Sequence, residues 1–278
     1  MSGATSEATS EATVATAADP AIRARESGFL HDVATVASRA LRAIPRDPEA
    51  VIPALVVGVF FYAVNVGSLQ VVAEQGPVSD FKAFQLPVAI IFSITGVSRA
   101  AALVVDIQDG YFDRLLVTPI RRAALLLGLM VADITLVVCL AIPVVGLGLA
   151  VGVRFETGPL GILVFLGFSA LWGLVFTGFP YAIALKTGNP AAVNSTFLLF
   201  FPFAFLTTSF LPREALTGWL STMAGYNPVT YLLEAMRSLI LEGWDAHKLI
   251  VGLASIAAVG AVSFTLAGLA LRGRVRRR

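Results

Sequence analysis

The stretch AALLLGLMVADITLVVCLAIPVVGLGLAV occupies residues 123–151 and contains one charged side chain, Asp133. A transmembrane helix needs about 20 mostly apolar residues, so this stretch is long enough to cross a bilayer. Five further apolar runs lie on either side of it, separated by short polar or Gly- and Pro-containing segments. The six predicted spans cover residues 51–72, 84–105, 123–151, 160–185, 191–211 and 249–271.

The composition is typical of an integral membrane protein. Of the 278 residues, 57% are hydrophobic and 14% charged, and the mean hydropathy is +0.82. This balance excludes an ordinary soluble globular domain. The single cysteine, Cys139, excludes an intrachain disulfide. Residues 1–27 begin with a run of Ser, Ala, Thr and Glu without an apolar core, and we expect a disordered cytoplasmic tail before an all-α membrane domain at residues 28–278.

Lys and Arg are distributed unevenly among the predicted loops. With both termini in the cytoplasm, 15 of the 20 basic residues lie on the inner side and 5 on the outer side. Positively charged loops stay in the cytoplasm, so the sequence predicts a multi-pass protein of the bacterial plasma membrane with both termini inside. This topology explains why the arginines are concentrated on the inner side, so we expect them to face membrane lipids rather than nucleic acid.

An amphipathic helix is predicted before the first span. Apolar side chains recur at helical spacing from Leu30 to Ile44, and Pro45 ends the pattern. Arg39 and Arg42 lie on other faces, where they would meet anionic lipid headgroups if the helix lies on the inner leaflet. An ordinary cytoplasmic helix is the alternative interpretation.

The outer segment between the fifth and sixth spans, residues 212–248, is too apolar for a solvated loop. We predict that it forms two helices that re-enter the membrane, the second starting with Asn227 as N-cap and Pro228 at the first helical position. Glu234 and Arg237 lie three residues apart and could pair. The residues that characterise this segment are Pro212, Trp219, Asn227, Pro228, Tyr231, Glu234 and Arg237.

The first inner loop, residues 106–122, is short and charged. Three acidic residues recur at near-helical spacing beside an apolar Leu pair, and a Thr-Pro dipeptide ends the element before the next span. Such a loop is suited to docking a partner protein, although a solvated connector that only enforces topology would have similar charges. The residues concerned are Asp106, Asp109, Gly110, Asp113, Arg114, Leu115, Leu116, Thr118 and Pro119.

At this point the sequence resembles the ABC-2 permeases, and among them the daunorubicin-resistance-like drug and lipid exporters. The loop follows the pattern acidic-x-x-x-Gly-x-x-acidic-Arg-Leu-Leu-x-Thr-Pro. Two further matches are FLPREALTGW at residues 210–219 and NPVTY at residues 227–231, followed by Arg237. Asp106 and Asp113 stand where family members often have Glu.

The resemblance implies a transport subunit that is not itself an enzyme. Two permeases, identical or different, would each engage a separate ATP-binding subunit through the amphipathic helix and the loop around Gly110, and substrate would pass between them. In this chain no lysine follows a glycine, so the Gly-Lys-Ser/Thr phosphate loop is absent. We therefore expect no cofactor on this chain, with ATP and Mg on the partner subunit.

Several residues within the predicted spans are candidates for function. Asp133 is costly at membrane depth unless it is paired or lines a wet cavity; Arg99 could pair with it, and a role in the substrate path is the alternative. Aromatic rings of the fifth span, Phe197, Phe201 and Phe205, could line a path for flat or cationic substrates or simply face lipid. His31 and His247 lie on opposite sides of the membrane, so no metal site is predicted.

Drug or lipid-like cargo is the favoured hypothesis, and export of a polysaccharide or envelope glycolipid is the alternative within the family. An intramembrane lipid-modifying enzyme would need clustered acids or histidines at one depth, whereas the spans offer Asp133 almost alone. An ion channel would need a repeated pore ring, which the sequence lacks. Both of these would work without an ATPase partner.

Overall fold

The computed structural model describes residues 29–43, 48–76, 78–95, 97–110 and 122–276, and no β-strand occurs within these ranges. The predicted tail and the loop residues Asp113, Arg114, Leu115, Leu116, Thr118 and Pro119 lie outside them. The helices are α1 Phe29–Ala43, α2 Pro48–Glu74, α3 Phe81–Ile94, α4 Ala100–Gln108, α5 Arg122–Ala150, α6 Gly158–Thr187, α7 Pro190–Asn194, α8 Thr196–Phe205, α9 Gly218–Tyr226, α10 Pro228–Leu241 and α11 Ala246–Arg276, with a 3-10 turn at Arg213–Ala215.

Four helices in the described part of the chain are long and apolar enough to cross a membrane. They are Val51–Glu74 in α2, Leu127–Ala150 in α5, Gly158–Thr187 in α6 and Ala246–Arg274 in α11. These correspond to the first, third, fourth and sixth predicted spans. The described part of the chain is therefore all-helical, and four of its helices have the length and composition of membrane spans.

The second predicted span, residues 84–105, is wrong as a continuous helix. α3 ends at Ile94, Thr95 has the extended backbone of a C-cap with φ −76° and ψ 124°, and α4 begins only at Ala100. At the break Thr95 Oγ1 accepts from Trp172 Nε1 at 2.9 Å, and the backbone N–H of Arg99, the residue before α4, donates to Asp133 Oδ1 at 2.7 Å. A buried break of this kind persists only when neighbouring helices satisfy the freed polar groups.

The fifth predicted span, residues 191–211, is also interrupted. Helix α7 has five residues and α8 has ten, and the chain bends from Leu206 onward. Pro202 removes one helical donor, and the hydroxyls of Thr207 and Ser209 donate to Ala204 O at 2.7 and 2.8 Å. These hydroxyls satisfy a carbonyl at the end of α8, so the bend is stable in an apolar environment.

The two ends of the bundle differ in chemistry. At the end that we call the basic end, Gln108 Nε2 donates to Gly188 O at 3.0 Å and Arg274 Nη1 to Leu185 O at 3.2 Å. At the opposite, aromatic end, Lys82 Nζ donates to Val151 O at 3.3 Å. Three exposed aromatic side chains mark this region of the chain, namely Trp219, Tyr226 and Trp244.

Helix α3 lies at the centre of the bundle. Every side chain from Ala83 to Thr95 is buried, and the helix packs against α2, α5 and α10. A helix buried on all sides has to be apolar all round, which explains why residues 86–92 contain no charged side chain. The core around α3 holds the elements that carry the candidate sites in position.

The outer segment forms two helices, α9 and α10, where the sequence predicts them. The Asn227 side chain accepts from Val229 N at 3.0 Å, and its Nδ2 donates to Phe203 O at 2.7 Å and Leu206 O at 2.9 Å. One side chain thus caps α10 and also satisfies the frayed end of α8. That α9 and α10 re-enter the membrane stays a prediction.

Candidate functional site

Two elements predicted to contact a partner converge at the basic end. Arg39 on α1 forms an ion pair with Asp106 on α4, with 2.9 Å between Nη2 and Oδ1. Ala37 and Ala40 on the same helix are buried, and Ala40 packs with residues of α4 and α5. Part of the apolar face of α1 therefore contacts protein rather than lipid, while Arg42 is exposed.

The end of α4 presents Asp109 and Gly110 to the surroundings. Asp109 is exposed, and Gly110 has φ +70°, a left-handed backbone that favours glycine. A Cβ added to Gly110 would have no heavy atom within 4 Å. Gln108 Nε2, next to these residues in the chain, donates to Gly188 O at 3.0 Å and so links the end of α4 to the end of α6. Because the family resemblance predicts that these elements contact an ATP-binding subunit, we call Arg39, Asp106, Asp109 and Gly110 the coupling surface.

A second polar site lies inside the bundle at the break between α3 and α4. Asp133 is 0% exposed; its Oδ1 accepts from Arg99 N and its Oδ2 from the Tyr181 hydroxyl, both at 2.7 Å. The carboxylate thereby caps the N-terminus of α4 from a neighbouring helix. The Arg99 main chain thus contacts Asp133, while the predicted Arg99–Asp133 ion pair stays a prediction; sequence reasoning missed Tyr181.

Replacement of Tyr181 by Phe tests this arrangement. Tyr181→Phe removes one of the two hydrogen bonds to a fully buried carboxylate, and we expect the free energy of unfolding to fall by about 1–3 kcal/mol. Thermal unfolding of the purified protein in detergent measures the change. Tyr226→Phe is the matched control because Tyr226 is 83% exposed. Equal stability of Tyr181→Phe and wild type would contradict the cap.

The aromatic rings of α8 form a cluster with α2 and α3. Phe92 is the centre: Phe61 stacks on it at 4.5 Å, and Phe205 meets it edge-on at 5.9 Å. Phe201 lies 4.7 Å from Phe205 and is 38% exposed. The side chain of Phe197 lies outside the described residues. We call Phe61, Phe92, Phe201 and Phe205 the aromatic wall; Phe92 is buried, Phe61 and Phe205 are partly buried, and Phe201 is exposed.

Arg237 joins three elements near the aromatic end. It is only 5% exposed; its Nε donates to Phe84 O and its Nη1 to Thr208 Oγ1, both at 3.1 Å. Its guanidinium carbon lies 3.4 Å from the centroid of the Phe84 ring, within the range of a cation–π interaction. The guanidinium is thus directed at α3 and at the bend after α8 rather than at Glu234.

Burial changes the acid–base properties on α10. It lowers the pKa of the Arg237 guanidinium to about 9, against the opposing effect of Glu234, so the group stays cationic at neutral pH. Burial also raises the pKa of the Glu234 carboxyl, while Arg213 and Arg237 lower it. Two other predicted residues of this segment have different surroundings. Trp219 is 69% exposed, whereas Tyr231 is partly buried and donates its hydroxyl to Gly225 O at 2.6 Å.

The profile of the ABC-2 type transporter family matches residues 31–241. The chain belongs to this family. The match begins in α1 and ends at the last residue of α10, so it includes the coupling surface, Asp133, the aromatic wall and Arg237. As an ABC-2 family member the chain is a membrane permease, the transport subunit of an ABC system.

Characterised relatives share modest identity with this ABC-2 permease. It is 28% identical over 193 residues to the daunorubicin resistance ABC transporter permease protein DrrB1 of Streptomyces coeruleorubidus, covering 65% of this chain and 66% of that protein. It is 26% identical over 210 residues to the probable doxorubicin resistance ABC transporter permease protein DrrC of Mycobacterium tuberculosis, covering 74% of this chain and 75% of that protein.

Proposed function

We propose that this chain is the membrane half of an ATP-driven exporter that moves amphipathic drugs out of the cell. ATP and Mg bind and react on a separate ATP-binding subunit, and this chain supplies the path through the bilayer. Family membership supports the exporter assignment, and the resistance proteins among its relatives support drug cargo. A polysaccharide or glycolipid as cargo has no comparable support among these relatives.

The convergence of α1 and α4 is the observation that carries this proposal. The Arg39–Asp106 pair joins the two elements that the family resemblance assigns to ATPase contact. Gly110 stands beside them with room for a docking partner. An exposed ion pair contributes at most about 1 kcal/mol to stability. We therefore infer that the Arg39–Asp106 pair positions α1 against α4 rather than stabilises the fold.

The aromatic wall is the proposed substrate-facing side. Flat ring systems stack on aromatic side chains, and a cationic amine is attracted to their faces. The wall includes partly exposed rings from α8 and lies beside α2, the most lipid-exposed of the four long helices. A second permease that docks along α2 and α8 would enclose a path lined by Phe201 and Phe205 from both copies.

The proposed topology places the basic end in the cytoplasm of a bacterial cell. The chain passes between the two ends in residues 81–108, from Lys82 to Gln108, and again from Gly188 to Thr208. Together with the four long helices these two interrupted segments would give six crossings and put both termini inside. The cationic residues Arg39, Arg42, Lys186 and Arg274 at the basic end support this orientation.

Reconstituted vesicles test the proposal directly. The full chain is co-reconstituted with an ABC ATP-binding subunit from the same genome, and ATP-dependent accumulation of fluorescent daunorubicin is measured against a labelled glycolipid. We expect drug accumulation, reduced about tenfold by Phe201→Ala together with Phe205→Ala because two stacking surfaces are lost. Phe203→Ala is the control, since Phe203 is 58% exposed on the same helix. Transport of the glycolipid alone would contradict drug cargo.

A further inference from the structure

A groove runs between α6 and α11 at the basic end of the bundle. On α6 its wall is formed by residues four and three apart, Phe179, Ile183 and Lys186, and on α11 by Leu266, Ala270 and Arg274. Such spacing keeps each set on one helical face. Both stripes run towards the basic end for about 10 Å or more, and the groove holds about 870 Å³.

The charge of the groove is concentrated at one end. Lys186 and Arg274 lie at its mouth, and no Asp or Glu is among its lining residues. Arg274 Nη1 donates to Leu185 O at 3.2 Å, while its Nε finds no acceptor in the described part of the chain. The groove is therefore apolar along its length and positively charged at its mouth.

We propose that this groove binds an anionic phospholipid, with the phosphate on Lys186 and Arg274 and an acyl chain along the apolar stripes. Basic pockets between transmembrane helices at the cytoplasmic face are typical binding sites for anionic headgroups. The two cations oppose entry of a cationic amphiphile, so the groove is distinct from the aromatic wall proposed for drugs. The site depends on the membrane location of the chain and not on the identity of its cargo.

The chain contains a comparison groove on the same helix. Gly260, Gly268 and Arg272 line a smaller depression of about 440 Å³ on α11. Arg272 is the single charged residue that lines it, and it lies two residues from Arg274. Non-specific annular lipid would treat the two depressions alike, because both are apolar and lie on the same helix. Specific binding of an anionic phospholipid therefore requires a difference in lipid affinity between the two depressions.

The test uses the full purified chain and native mass spectrometry with phosphatidylglycerol or phosphatidylcholine of identical acyl chains. We expect Lys186→Gln together with Arg274→Gln to weaken phosphatidylglycerol binding about 25-fold, since each cation near the headgroup contributes about fivefold. Phosphatidylcholine binding stays unchanged. Arg272→Gln, the matched control, retains wild-type affinity. Equal losses for Arg272→Gln and the double variant would overturn the proposal.

A second pair of variants tests whether the groove itself is occupied. A Cβ added at Gly273 or Gly268 would meet no heavy atom within 4 Å, so neither position is closed to a larger side chain. Gly273→Phe fills the groove beside Arg274, where the headgroup and the start of the acyl chain would lie, and should abolish the tightest phosphatidylglycerol adduct, whereas Gly268→Phe should not. Inorganic phosphate, added at the same concentration as the lipid, should not displace phosphatidylglycerol from the protein. Retention of the adduct by Gly273→Phe, or displacement by phosphate, would refute a lipid site.

Discussion

Gly110→Arg is expected to lower drug-stimulated ATP hydrolysis by the complex by about 30-fold or more, the effect of losing a central interface contact. The substitution adds a large charged side chain to the coupling surface, at a position where an added Cβ would have no heavy atom within 4 Å. It also places an L-residue at φ +70°, which costs about 1–2 kcal/mol. Co-purification with the ATP-binding subunit and the rate of phosphate release measure the outcome.

Gly218→Arg is the control that separates docking from backbone strain. Gly218 has φ +62° and equally open surroundings, but it begins α9, in the segment that follows the bend at the aromatic end. The backbone cost is therefore similar, and the distance from the coupling surface is large. Association with the ATP-binding subunit should persist in Gly218→Arg and be lost in Gly110→Arg. Loss in both, or in neither, would reject Gly110 as part of the docking surface.

Arg237→Met is expected to lower the free energy of unfolding by about 2–4 kcal/mol, since two hydrogen bonds from a charged donor and one cation–π contact are lost. For a domain of this size that corresponds to a fall of about 6–12 °C in the thermal unfolding midpoint. Arg237→Lys should be nearly as harmful, because an ammonium group cannot reproduce two directed bonds from one planar fork.

Arg154→Met serves as the reference for this prediction. Arg154 is exposed in the turn between α5 and α6, so removal of its charge should change the midpoint by less than about 2 °C, as is usual for surface substitutions. Drug transport by Arg237→Lys should fall together with its stability. An Arg237→Lys variant as stable as wild type would show that charge alone, and not the guanidinium geometry, holds α3, α10 and the bend after α8 together.

Local sequence signals predicted the long helices and the capped start of α10. Residues 123–151 and 160–185 are apolar over more than 20 positions, and hydropathy depends on composition alone. The Asn227-Pro228 dipeptide contains its own capping chemistry, so it needs no knowledge of neighbours. These features are local, and a single sequence is enough to predict them.

The breaks at Thr95 and Leu206 could not be predicted in the same way. The hydropathy of residues 84–105 is that of a continuous span, and nothing in this segment indicates that Trp172 donates to Thr95 Oγ1 or that Asp133 accepts from Arg99 N. Tyr181 was missed for the same reason, since nothing near it in sequence indicates a carboxylate 48 residues away. The spacing of Glu234 and Arg237 shows only that they could pair, and it does not indicate that Arg237 donates to residues 84 and 208.

The sequence by itself therefore determined the membrane environment, the all-helical class and the family pattern, because apolar run length and motif order are properties of the chain. Only the tertiary structure decided which apolar runs are interrupted, which polar groups meet inside the bundle, and where a cationic groove forms between α6 and α11. In a bilayer every buried polar group must find its partner within the protein. Those partners are chosen by packing between distant segments, so the sequence leaves them undetermined until the helices are assembled.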